Sequence, residues 1–231
     1  MSRTLNVVRM QLINRQTYLW IPLIILGGAF AVTLAIYAIV RGAGGEATMY
    51  GGGATAPLWY FLFVGVQALT LTFPFSQAMS VTRREFYLGT LLTAASTSAM
   101  LTVIFVIGGF IEAATGGWGM EGYFFALDWV WGAGPHVAAL FYFVLAMLFF
   151  VIGFWAATVF KRLGALWLTV ILIGIGVLLV GAVWLVTRMN AWVDLFVWFA
   201  SIGAGGLALL LATVVVVLAI LAFPALRRAT P

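Results

Sequence analysis

Ser80-Val81-Thr82-Arg83-Arg84-Glu85-Phe86-Tyr87-Leu88-Gly89-Thr90 interrupts the chain between two long apolar runs, about residues 57–79 and 89–111. Only 7% of the residues are charged, so three consecutive charges mark a point where the chain leaves an apolar environment. The stretch reads as a loop of about ten residues, too short to fold alone and carrying an aromatic pair. Arg-Arg-Glu-Phe-Tyr on such a loop reads as a handle for another protein.

Outward from this loop the chain is apolar almost throughout. Hydrophobic residues make up 65% of 231 and the mean hydropathy is +1.18, which excludes a water-soluble globule. Stretches of ~20 residues rising about 1.5 Å each cross a ~30 Å hydrocarbon layer. Six can be drawn, at about 18–40, 57–79, 89–111, 136–160, 163–186 and 200–223. The expected fold is therefore an all-α integral membrane protein of six transmembrane helices, one domain over residues 1–231 with no soluble domain. Arg3, Arg9 and Arg15 precede the first run as they would a signal peptide, but the run is too long and lacks a clear small-residue cleavage site. It reads as a retained span.

The basic residues orient these spans. With both ends cytoplasmic, the inner side holds nine (Arg3, Arg9, Arg15, Arg83, Arg84, Lys161, Arg162, Arg227, Arg228), against Arg41 and Arg188 outside. Glu46, Glu112, Glu121, Asp128 and Asp194 then fall outside or at the outer boundary. The expected location is the cell membrane, crossed several times, with membrane lipid as a partner. A net charge of +5 here reflects topology, and nucleic acid is not expected as a partner.

Residues 1–17 place Leu5, Val8 and Leu12 on one helical face, with Arg9, Asn14 and Arg15 elsewhere. This reads as an interfacial N-terminal helix, or as a basic leader that only sets topology. The glycine-rich segment from Arg41 to Ala56 reads as mobile. In the second span Phe63, Gln67, Thr70, Pro74 and Gln77 recur at spacings of four and three, on one face. Amides are costly in hydrocarbon, so this face should look toward other helices or a cavity. Thr93, Ser96, Thr97, Ser98 and Thr102 in the third span suit close helix packing. The aromatics between Glu112 and Pro135 read as residents of the membrane–water boundary, and the lone histidine, His136, as a boundary residue. Met189, Trp192, Val193, Phe196 and Val197 outline a short amphipathic helix before the sixth span, or an ordinary aromatic anchor.

Several chemistries have no carrier. The chain has no cysteine, no Gly-x4-Gly-Lys-Ser/Thr, no His-Glu-x-x-His and no Gly-x-Ser-x-Gly. No charged residue falls at the centre of a span, which argues against self-powered ion-coupled transport. No catalytic, metal or cofactor residue is assigned, and the chain is not read as an enzyme.

Phe73 to Thr90, with its Ser-Val-Thr-Arg-Arg-Glu-Phe-Tyr-Leu-Gly core, resembles the loop after the second span in membrane subunits of ATP-binding-cassette (ABC) transporters of the second permease type, the type of the G-subfamily exporters. The interfacial N-terminal helix, six spans and short helix before the sixth are similar to that family's layout. The resemblance implies a permease half that exports a hydrophobic or amphipathic substrate. It implies Arg83, Arg84, Glu85, Phe86 and Tyr87 as residues docking an ATPase, with Phe63, Gln67 and Thr70 bordering the substrate path. It also implies a separate ABC ATPase subunit carrying ATP and magnesium, and a second permease, identical or related. The alternative is a non-transporting membrane scaffold or sensor whose loop binds a cytosolic protein.

Overall fold

The computed structural model describes residues 3–227, so Arg228 of the inner basic set lies outside the described residues. Among the described residues the chain is all-α apart from one two-residue parallel pairing. Its helices are α1 (Arg3–Ile13), α2 (Ile21–Gly42), α3 (Ala56–Gln67), α4 (Phe73–Ala78), α5 (Arg83–Ala114), α6 (Asp128–Trp131), α7 (Pro135–Arg188) and α8 (Trp192–Arg227). The strands β1 (Met49–Tyr50) and β2 (Gly122–Tyr123) pair Met49 with Gly122. A π-helical turn, Gln16–Trp20, leads into α2, and another, Ala68–Thr72, joins α3 to α4.

Among the described residues, five helical stretches have the length and composition to cross a membrane: Gln16–Gly42, Gly52–Ala78, Arg83–Ala114, Pro135–Arg188 and Trp192–Pro224. The fourth has 54 residues, which unbroken would run about 80 Å against a ~30 Å layer. It is broken at Gly164, whose φ of 84° and ψ of 174° suit glycine. Contacts show that the chain turns back there. A Cβ on Gly205 would sit 3.6 Å from Val137, while Tyr87 rings against both Phe154 and Phe223. Residues 137 to 154 and 205 to 223 thus run in the same direction, so 165–188 between them runs the opposite way. Gly203 (φ 59°) makes a second break and sets 192–202 apart from 204–227.

The core lies between α3, α5, the first half of α7 and the end of α8. Phe61, Phe73, Phe86, Phe105, Phe150 and Phe154 are buried in it. Thr93, Thr97, Ser98 and Thr102 are buried as small packing residues, whereas Ser96 is exposed. The Thr93, Thr97 and Thr102 hydroxyls donate to carbonyls one turn back, so each is satisfied within its own helix.

Helix α1 packs by the face of Val7 and Gln11, and Leu5, on the face read as interfacial, is 45% exposed. Gln11 Nε2 donates to Thr90 Oγ1 at 2.8 Å, fixing α1 to α5 by that face. The segment from Arg41 to Ala56 is tied down rather than loose. Arg41 donates to the Met120 and Gly45 carbonyls and pairs with Glu121 at 2.9 Å. Among the aromatics read as boundary residues, Phe124 and Phe125 belong to the core.

Candidate functional site

The connection between α4 and α5 is much shorter than the ten-residue loop expected. Only 79–82 lie outside helix, because Thr82 caps α5. Its hydroxyl accepts from the Glu85 amide at 3.3 Å, and the Glu85 carboxylate accepts from the Thr82 amide at 3.0 Å. This reciprocal pairing is the capping box that Thr-x-x-Glu encodes. The turn is further closed by Val81 N donating to Ser76 O at 3.1 Å and Gln77 Nε2 donating to Val81 O at 3.1 Å. Ser80 takes a positive φ of 56° to make the reversal.

The five residues expected to dock a partner therefore divide. Phe86 is fully buried against Phe73, with ring centroids 5.1 Å apart. Tyr87 is buried too, and its hydroxyl donates to the Ala219 carbonyl of α8. Arg83 donates to the Leu226 carbonyl at 3.1 Å and lies 5.9 Å over the Phe73 ring. Glu85 is engaged in the cap. Arg84 alone of the five is fully on the surface, beside exposed Met79, Ser80 and Thr82. The physical reason is helical geometry. Once α5 begins at Arg83, Phe86 and Tyr87 are carried onto its inward face.

Phe63, Gln67 and Thr70 do not face the chain's own bundle. Phe63 is 50% exposed, Gln67 and Thr70 are half-buried, and Thr70 Oγ1 donates back to Val66 O at 3.0 Å. The opposite face, through Gly65, meets α7 backbone to backbone. The π turn then shifts the register. The outward stripe runs on through Leu71 and Phe75, both over half exposed, rather than through Pro74 and Gln77.

Sequence reasoning missed the most concentrated polar site. Glu112, with no exposed surface, accepts from Trp118 Nε1 and Phe124 N, each 2.7 Å from Oε1, and from Phe125 N at 2.7 Å and Ala126 N at 2.6 Å to Oε2. Four donors fill the acceptor capacity of one carboxylate. Positive φ at Gly116, Gly117, Trp118, Gly119 and Glu121 folds the segment back so that successive amides converge on it. The available signal was a lone acid ending an apolar run, followed by four glycines in the next ten residues. Nearby, the Tyr50 hydroxyl donates to Asp128, and that bond raises the phenol above its ordinary pKa. His136 is exposed, and no group of metal-ligating side chains forms among the described residues. Comparison with family models, curated proteins and solved structures finds no match for this chain.

Proposed function

We propose that the chain is one membrane half of an ATP-driven exporter, similar to ABC permeases of the second type, and that it couples to a separate ATPase through the turn before α5. In this reading the chain crosses the membrane six times, Pro135–Arg188 counting as two crossings divided at Gly164. Both termini are cytoplasmic, and 192–202 lies in the outer interface. A second permease copy completes the path, and ATP and magnesium belong to the ATPase.

The observation that carries the proposal is the bracing of the 79–82 turn. It is closed by its own hydrogen bonds, capped into the 32-residue α5, and backed by Phe73, Phe86 and α8. A push on a turn built this way moves a rod about 48 Å long rather than deforming a loop. Docking falls to Met79, Ser80, Thr82 and Arg84, while Arg83, Glu85, Phe86 and Tyr87 hold the turn in shape. Arginine with an exposed apolar neighbour suits an interface anchor.

A photo-cross-linking residue placed at Ser80 in living cells tests this. The expected adduct contains an ABC ATPase, and Arg84→Glu should reduce its yield at least tenfold. Adducts containing only a kinase or regulator would favour the scaffold reading, and no adduct at all would remove docking from this turn.

A further inference from the structure

We propose that the cavity between α3, α5, α6 and the start of α7 is a binding site for an uncharged apolar group about the size of one aromatic ring. The inference is independent of transport and of the turn before α5. The cavity has a volume of about 150 Å³. Leu101 and Phe105, one turn apart on α5, line it together with Leu58 of α3 and Phe141 of α7, and all four are buried. Leu145 adds to the α7 wall, while Thr55 and Trp129, both exposed, stand at the rim. Phe105 also rings against Phe125, which places the cavity beside the segment wrapped around Glu112.

The lining selects against charge and against water. Among the described residues no charged side chain borders the cavity, and its surface is almost wholly carbon. Its two hydroxyls are already committed: Thr55 Oγ1 donates to Gly52 O at 2.8 Å, and the Tyr142 hydroxyl donates to Phe125 O at 2.6 Å. A buried water needs about two to four polar partners, whereas an apolar cavity of ~150 Å³ stays dry and takes up benzene. Nor does the roof settle into the space. Asp128, at the start of α6, accepts from the Tyr50 hydroxyl, and Val130 is fully buried. Trp131 Nε1 donates to Phe125 O at 3.1 Å, and its ring lies 2.0 Å from where a Cβ on Gly109 would be. Held in this way, α6 keeps Trp129 at the rim, edge-on to Phe141 with ring centroids 5.2 Å apart. Walls that do not relax leave dispersion contacts unmade along the lining. An apolar occupant restores those contacts without breaking a hydrogen bond.

The chain has no cysteine, so a single Thr55→Cys at the rim reports the cavity by reversible disulfide exchange, read as intact mass. Full-length protein, purified in detergent and stripped of lipid, is equilibrated with the mixed disulfides of benzyl mercaptan and mercaptoethanol in equal amounts. The benzyl adduct should be favoured about tenfold beyond its ratio at Thr48→Cys, an exposed control. Filling the cavity from opposite walls, by Ala54→Leu or by Leu145→Phe, should return the ratio to that of the control. Two variants are used so that one failing to fold does not decide the matter. Reconstitution into lipid nanodiscs separates the sources of the apolar group. Loss of the preference there assigns the site to the end of a lipid chain, and its retention to a small free hydrocarbon. A ratio equal to the control, or one that survives both filled variants, would reduce the cavity to a packing void and overturn the site. So would the absence of any adduct at Thr55→Cys that persists with Trp129→Ala, where the ring at the rim is gone.

Discussion

Gly65 of α3 and Gly153 of α7 let two backbones touch where no side chain fits. A Cβ on Gly65 would lie 2.1 Å from the Phe150 carbonyl oxygen, and one on Gly153 would lie 1.9 Å from the Leu62 carbonyl oxygen. Small residues at such crossings are how helices gain packing when lipid is as apolar as the core. The contact joins α3 and the first half of α7 into one block, with Phe63 and Gln67 on its far side.

Gly153→Ala or Gly65→Ala should therefore separate the two helices and cost about 2–3 kcal/mol through overpacking. Gly174→Ala, with nothing within 4 Å of the added methyl, should be neutral. Thermal stability in detergent, followed by size-exclusion chromatography, distinguishes them. Equal stability for all three variants would mean that the helices do not approach this closely.

Replacing Glu112 by Gln keeps the shape but swaps one acceptor oxygen for an NH₂ group. Two of the four N–H donors then face another donor, at a cost of about 3 kcal/mol. Limited proteolysis should cut between 115 and 127 in the variant and spare the wild type. Glu112→Asp, one methylene shorter, should give an intermediate rate. Equal protection in Glu112→Gln would show that backbone packing alone holds the segment.

Single cysteines in this cysteine-free chain report orientation. Thr48 and Asn190 are exposed and should react with an impermeant thiol reagent added to intact cells. Ser80, exposed at the opposite end, should react only after the membrane is opened. The reverse pattern would invert the topology inferred from the basic residues.

If Phe63, Gln67 and Thr70 line a path between two permease copies, cysteines at these positions should bridge two chains, directly or through a short cross-linker. Gln67→Leu should then change substrate-stimulated ATPase activity more than assembly. Bridging from Ile173 or Val177 of the uncovered 165–188 stretch, with none from α3, would move the path elsewhere.

The long helices were legible because an apolar run of that length has few other destinies, and the reversal at Lys161-Arg162-Leu163-Gly164 because charge and glycine coincide there. The choice of buried face was not. In α1, Val7 and Leu5 are equally apolar, and in a membrane either lipid or protein can cover them. Phe86 and Tyr87 were read as interface anchors since the same side chains anchor cores. Only the capping box, present as Thr82 and Glu85, fixes where α5 begins and hence which way they point. Glu112 was hidden for a different reason. Three of its four donors are backbone amides, and a backbone amide has no letter in the sequence.

The order of synthesis gives the Glu112 cluster a further consequence. Its four donors lie at most 14 residues downstream of it. A ribosome adds roughly 5–20 residues per second, while a loop of about ten residues closes in roughly 10–100 ns. The carboxylate can therefore be satisfied as soon as Ala126 emerges, before α7 follows it out of the ribosome. When α7 arrives, its Tyr142 hydroxyl donates to the Phe125 carbonyl at 2.6 Å. The later half of the protein thus assembles on a template that the nascent chain has already completed.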